Sequence, residues 1–194
     1  MEKPVNKDFF YQPTLQLAKK LLGCHLVHIT DDVTLSGIIV ETEAYMGPVD
    51  RAAHSFQNRR TKRTEIMFHE PGLIYTYQMH THTLINIVSG EIDTPQAVLI
   101  RAIEPIEGID KMIQLRNNQP ISNLTNGPGK LTKAMNITMS SYGQKSWEPP
   151  VYITEGIKPH HISSGPRIGI ENTGEARDYP WRFWITDNKF ISRK

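Results

Sequence analysis

Gly37-Ile38-Ile39-Val40-Glu41-Thr42-Glu43-Ala44-Tyr45 is the run on which the architecture turns. It is dense in β-branched residues and free of proline, so it reads as a strand. Alternate side chains of a strand share a face, which sets Glu41, Glu43 and Tyr45 on one side and Ile38, Val40 and Ala44 on the other. Two carboxylates beside an aromatic ring suit acid–base chemistry. A carboxylate held near a sugar anomeric carbon orients a water and stabilises the positive charge developing there. The same pattern also describes a solvated strand face, and spacing alone favours that plainer reading.

Outward from this run, the elements are short and strand-rich. Pro13 to Leu22 carries apolar residues at helical spacing, Leu15, Ala18 and Leu22, and Gly23 offers a stop. Cys24 to Thr30 and Leu35 to Tyr45 read as strands joined at Asp31-Asp32. Gly72 to Gln78 and Leu84 to Val88 form a second strand pair with a polar, histidine-bearing tip. Ala97 to Ala102 is a further strand, and Ile109, Met112 and Ile113 suggest a helix after Pro105 and Gly108. A short helix follows Gly127-Pro128-Gly129-Lys130, and Val151–Thr154, Arg167–Ile170 and Arg182–Ile185 read as late strands. Regular alternation of strand and helix is missing, so the expectation is an α+β chain on a largely antiparallel sheet. Its 194 residues suit one domain spanning 1–194.

Composition narrows the class. Hydrophobic residues make up 38% and charged residues 22%, enough to bury a core and unlike a disordered chain. No apolar stretch has the length of a membrane span, and the N-terminal residues lack a signal-peptide pattern. The single cysteine, Cys24, sits among Leu22, Leu26 and Val27 and reads as a small buried hydrophobe. A cytoplasmic location near the nucleoid is expected, since one cysteine forms no internal disulfide. The net charge of +2 permits nucleic-acid binding without requiring it. Arg59, Arg60, Lys62 and Arg63 are clustered, either as a solvated loop or as phosphate contacts.

Three other groups carry chemistry. Tyr75, Tyr77 and Met79 alternate along one strand face, as core or as a stacking platform for an unstacked base. His80 and His82, with His69 nearby, form only an HxH pair without a third ligand at zinc spacing, so no metal is expected. Gly127-Pro128-Gly129-Lys130 is either a helix-start turn or an anion site; it lacks the spacing of an NTPase phosphate loop.

Together these segments resemble the alkyladenine (3-methyladenine) DNA glycosylase family, in register from Leu17 to Arg182. The resemblance rests on Leu21-Leu22-Gly23, Glu41-Thr42-Glu43-Ala44-Tyr45-Met46-Gly47-Pro48, Ala52-Ala53-His54-Ser55, Met67-Phe68 and Pro71-Gly72 with Tyr75-Thr76-Tyr77. It continues through Asn86-Ile87, Leu99-Ile100-Arg101-Ala102-Ile103-Glu104-Pro105, Gly127-Pro128-Gly129-Lys130-Leu131 and Pro166-Arg167-Ile168-Gly169. It implies a compact, curved antiparallel sheet, a hairpin reaching into the minor groove of double-stranded DNA, and cofactor-free hydrolysis; a monomer is expected because one damaged nucleotide needs one pocket. Glu43 matches the general base. Tyr45, His54 and Tyr77 match the pocket around a flipped base, with His54 opposite the tyrosines and hydrogen-bonded to the base. Asn86 matches a residue that crowds out guanine, and Arg101 one near the water and the sugar-phosphate. Arg59 and Lys130 match backbone contacts. Where the family places an intercalating tyrosine this chain has His80, and Met79 beside it offers an apolar wedge. No lysine matches a Schiff-base nucleophile, which implies an abasic-site product. Three alternatives remain at this level: a glycan hydrolase using Glu41 with Glu43, a non-catalytic nucleic-acid module, and a histidine-bound metalloprotein.

Overall fold

The computed structural model describes residues 3–193. In chain order the elements are α1 Thr14–Lys20, β1 His25–Ile29, β2 Thr34–Tyr45, β3 Ile74–Met79, β4 His82–Ser89, β5 Gln96–Glu107, α2 Ile109–Leu115, α3 Pro128–Ala134, β6 Val151–Thr154, β7 Ile162–Gly165 and β8 Arg182–Ile185, with short 3-10 turns between them. The strands join in one antiparallel sheet, ordered β3-β4-β5-β2-β1-β6, with β8 bridging β2 and β7. β2 is central: β5 runs along one edge, while β1 and then β8 share the other.

Period-two patterning divides the sheet into two faces. On one, Ala44, Ile74, Ile85, Ile87, Val98 and Ile100 meet Leu17, Ala18 and Leu21 beside α1, Met112 of α2 and Leu131 and Ala134 of α3. Thr42, on this face, donates its hydroxyl to the Ala18 carbonyl at 2.8 Å, tying α1 to the sheet. On the other, Tyr75, Tyr77, Leu84, Val88, Ala97 and Leu99 gather with Tyr45.

The expected alternation along β2 is interrupted. Leu35 and Ile39 enter the helix-side core, and so does Ala44, an odd-to-even change that a regular strand cannot make. The β2–β5 register explains it: Ile39 faces Ile103, Glu41 faces Ala102 and Thr42 faces Ile100. Val40 is thus an extra residue on β2, and Arg101 an extra residue on β5. These opposed bulges bend both strands and reverse the facing of the residues beyond them. Ile38 accordingly does not share the core face with Ala44.

One expected strand is absent. Arg167–Ile170 is irregular, and the late strand lies at Ile162–Gly165, paired with β8. The Ile168 amide there serves a side chain rather than a ladder. Among the described residues no helix is long and apolar enough to cross a membrane.

Gly47 opens the turn after β2. An alanine Cβ there would overlap the Pro95 carbonyl oxygen, at a φ of +62°. Gly47→Ala is expected to destabilise the fold by about 2 kcal/mol or more, seen as a lower urea midpoint; an unchanged midpoint would show that the turn yields freely.

Candidate active site

One row of residues crosses five strands. Tyr75 on β3 faces Asn86 on β4, Asn86 faces Leu99 on β5, Leu99 faces Glu43 on β2, and Glu43 faces Arg182 on β8. Sheet pairing therefore brings residues far apart in sequence to one surface, at the spacing of adjacent strands.

Glu41 and Glu43 both lie on this surface at 0% exposure. Buried carboxylates need donors and cations. Arg101, re-aimed by its bulge, stands between them, with Nε 3.2 Å from Glu41 and Nη1 3.4 Å from Glu43. Burial opposes the guanidinium charge, and the two carboxylates outweigh it, raising the Arg101 pKa. Glu41 also accepts from Arg182 Nε at 2.7 Å and from the Ser192 amide and hydroxyl at 2.5 and 2.8 Å. It is fully engaged as an anchor, so the carboxylate pair required by a glycan hydrolase is not free to act.

Glu43 is held differently. Its Oε1 accepts the Ile168 amide at 2.7 Å, and its Oε2 accepts the Tyr45 hydroxyl at 2.8 Å beside Arg101. A carboxylate offers about four acceptor positions, and among the described residues a hydrogen bond fills one on each oxygen, with the Arg101 ion pair on the Oε2 side. Oε1 keeps a second acceptor position with no partner among the described residues.

Tyr45, Arg101 and Ile168, the three partners of Glu43, line a cavity of about 220 Å³. Glu43 lies directly behind them. The other walls include Tyr75, Tyr77, Asn86, His54 and Met79. Burial pushes the Tyr75 hydroxyl up to about 12 and holds those of Tyr77 and Tyr45 well above the ordinary phenol range. Asn86 is buried, its amide donating to the Tyr75 carbonyl at 3.0 Å.

His54 departs from the expected arrangement. Its ring meets Tyr77 edge to face with centroids 4.6 Å apart. The two form one continuous wall and do not face each other across a base. Both ring nitrogens are engaged. Arg63 Nη2 lies 3.1 Å from Nε2, and the Tyr75 hydroxyl 2.8 Å from Nδ1. A guanidinium only donates, so Nε2 accepts and Nδ1 carries the proton. The Arg63 guanidinium also lies 4.7 Å from the Tyr77 ring centroid.

Behind Tyr45 is a pair that sequence spacing did not reveal. Arg167 and Asp50, both fully buried, form two parallel bonds at 2.5 and 2.8 Å. Asp50 also caps the Met46 and Ala52 amides, and Arg167 donates to the Ala44 carbonyl. The Arg167 guanidinium lies 4.7 Å from the Tyr45 ring and 5.0 Å from that of Trp181. It thereby fixes the segment that delivers the Ile168 amide to Glu43. Its one sequence signal was the Pro166-Arg167-Ile168-Gly169 motif.

The β3–β4 hairpin turns at His80-Thr81, with Met79 facing His82. Met79 is 43% exposed at the cavity. His80 is exposed at the tip and takes a left-handed φ of +53°, a strained conformation for a side-chain-bearing residue. His82 packs against Gly129, where an added Cβ would lie 2.7 Å from its ring, and Thr132 donates to the Thr83 carbonyl at 2.6 Å. The glycine-lysine turn thus braces the hairpin. Lys130 is held by the Asn123 and Asn126 side-chain oxygens at 2.6 and 2.9 Å. Arg59 is exposed on the loop beyond His54. Among the described residues, no three His, Cys, Asp or Glu side chains gather so as to hold a metal.

These contacts set two measurable outcomes. Asp50→Ala leaves a buried guanidinium without its anion and is expected to destabilise the fold by about 3–5 kcal/mol, measured by urea unfolding; a loss below about 1 kcal/mol, ordinary for an exposed pair, would contradict this. Burial first, then Arg63 and Arg59, push the His54 imidazole down from 6.5 to about 4. Between those values the unfolded chain binds the extra proton, so stability is lost as the pH drops through that window and the loss is complete below it. A ring-proton NMR titration should give a midpoint near 4, and one near the ordinary 6.5 would overturn the assignment.

Comparison with known proteins supplies the family. The methylpurine-DNA glycosylase profile matches residues 8–189. A Bacillus velezensis protein bearing the provisional name 3-methyladenine DNA glycosylase is 64% identical over 191 residues, covering 98% of this chain and 97% of its own. A Bacillus subtilis protein of the same provisional name is 61% identical over 99% of this chain and 98% of its own. A Listeria monocytogenes relative is 48% identical over 99% and 94%. The chain belongs to the methylpurine-DNA glycosylase family, whose members are DNA glycosylases, hydrolases of N-glycosidic bonds.

Proposed function

We propose that this chain, acting as a monomer on double-stranded DNA, flips alkylated purines into the aromatic cavity and hydrolyses their bond to deoxyribose, with Glu43 as general base. The observation that carries this reading is the vacant acceptor position on a carboxylate fixed behind a ring-lined cavity. Basic residues such as Arg59 and Lys130 hold the backbone, and Met79 or His80 fills the gap left in the stack. Extrusion costs a few kcal/mol and least where damage weakens pairing. Alkylation at N3 or N7 makes the base cationic, and aromatic faces favour a flat cation. Asn86, on the cavity wall, is suited to crowd the exocyclic amino group of normal guanine.

In the chemical step a water hydrogen-bonded to Glu43 Oε1 attacks C1′. Its proton passes to Glu43, the C1′–N bond breaks, and the electron pair leaves with the purine, which departs as the neutral base. Arg101 and the Ile168 amide keep the carboxylate oriented without reorganisation during the reaction. 3-Methyladenine and 7-methylguanine are the first substrates of this reading. Hypoxanthine and ethenoadenine, which need a proton delivered to the leaving ring, come second. The cavity lining contains no lysine among the described residues, in keeping with an abasic-site product.

The test is release of free base from single-lesion duplexes by the wild type and by Glu43→Gln. The variant is expected to bind the duplex within a few-fold of wild type and to lose at least about 10²-fold in single-turnover excision. Wild-type turnover by the variant would sink the assignment.

A further inference from the structure

The chain after β8 returns across the sheet to the two buried glutamates. Asn188 ties it to β5, donating its side-chain amide to Glu104 at 2.7 Å, and the Arg193 carbonyl accepts from Arg182 Nη2 at 2.5 Å. Between these ties Ser192 covers Glu41 with both its amide and its hydroxyl. The hydroxyl has a second partner. An ionised carboxylate only accepts, so the Ser192 proton lies toward Glu41 at 2.8 Å, and the oxygen accepts from Arg101 Nη2 at 3.3 Å.

Arg101 is thereby met at all three of its nitrogens. Glu41 lies 3.2 Å from Nε, Ser192 3.3 Å from Nη2 and Glu43 3.4 Å from Nη1. A guanidinium is planar, so fixing two nitrogens fixes the third. The Glu43 contact is too long to set that plane by its own directionality. Nor does the sheet hold the residue, because the β2–β5 and β4–β5 registers both leave Arg101 without an opposite residue. We propose that Ser192 is a positioning residue for the reaction. Its hydroxyl sets the plane of the Arg101 guanidinium, and through that plane the charge that steadies Glu43 behind the cavity. This rests on reading Glu43 as the general base. A mobile water in place of the hydroxyl would satisfy the same atoms without fixing their direction, and orientation is what a preorganised site supplies.

The test sets Ser192→Ala against Ser192→Thr, which keeps the hydroxyl. Ser192 is half-buried, so both variants should fold, as circular dichroism checks; Ser192→Cys, a weak donor and acceptor, is the second variant without a hydroxyl. In single-turnover release of 7-methylguanine from a single-lesion duplex at saturating enzyme, Ser192→Ala is expected to be about tenfold slower, less than the roughly 10²–10³-fold lost with a donor that touches the reacting atoms. Duplex affinity should stay within about twofold, and Ser192→Thr should recover the rate to within about threefold of wild type. A second readout needs no turnover. The Arg101 Nη protons, identified by their loss in Arg101→Lys, should be resolved by NMR in the wild type and in Ser192→Thr, and averaged by rotation in Ser192→Ala.

A wild-type rate in Ser192→Ala, a loss that Ser192→Thr shares, a loss confined to duplex affinity, or Nη signals indifferent to the hydroxyl would each overturn the proposal. The two readings fail separately. Excision that depends on Glu43 but not on Ser192 removes only the positioning role. Nη signals that follow the hydroxyl in a protein that releases no base remove the general-base reading and leave the hold of Ser192 on Arg101 standing.

Discussion

Two carboxylates on one face of one strand, both without solvent contact, impose the main constraint on this molecule. Left unpaired, each would cost several kcal/mol, more than a domain of this size can absorb twice. Two guanidiniums meet the constraint, and each arrives by a feature of the sheet. Arg182 sits directly across β2 from Glu43 and reaches Glu41. Arg101 is the unpaired residue of a bulge, which lets its side chain stand between both carboxylates. The cluster contains two negative and two positive charges. Its neutrality allows it to lie under an aromatic cavity instead of at the surface.

The two glutamates then differ only in what else touches them. Glu41 faces inward to Arg182 and Ser192 and uses its acceptor positions on the protein. Glu43 lies behind the cavity wall, and its Oε1 keeps an acceptor position with no partner among the described residues. The same residue type two positions apart thus becomes an anchor in one case and a candidate base in the other. The Asp50–Arg167 pair repeats the anchoring role on the far side of Tyr45, since the Arg167 segment supplies the Ile168 amide.

Much of this is legible in the amino-acid order. The shared face of Glu43 and Tyr45, the Tyr75-Tyr77-Met79 wall and the hairpin follow from period two and turn residues alone. The bulges are not legible, because a bulge is defined against a partner strand and periodicity sees one strand at a time. Ile162-Ser163-Ser164-Gly165 carries no strand signal, being polar and partly exposed, while the Ile168–Ile170 alternation imitates one. Asp50 with Arg167 and Glu41 with Ser192 span 117 and 151 positions, distances at which spacing has no meaning. Arg63 read as part of a charged run, because its bonds to His54 and Tyr77 exist only after β3 has placed the tyrosine.

The distribution of charge around the cavity would give the proposed reaction a preference that aromatic walls alone would not. The floor is balanced, and His54 on the wall is kept neutral by burial and by Arg63 and Arg59. On the proposed reading, a cationic base entering there would meet π faces with Glu43 behind them, and, among the described lining residues, no fixed cation other than Arg101, which is paired to both carboxylates. Arg51, Arg59 and Arg63 are instead gathered in a recess that adjoins the cavity. A neutral, undamaged purine gains the stacking but neither the cation–π attraction nor the approach to Glu43. Its bond to the sugar is also the stronger one, because the departing ring would carry negative charge. Selection in this arrangement would come from matching the sign of the charge at each position, more than from the shape of the pocket.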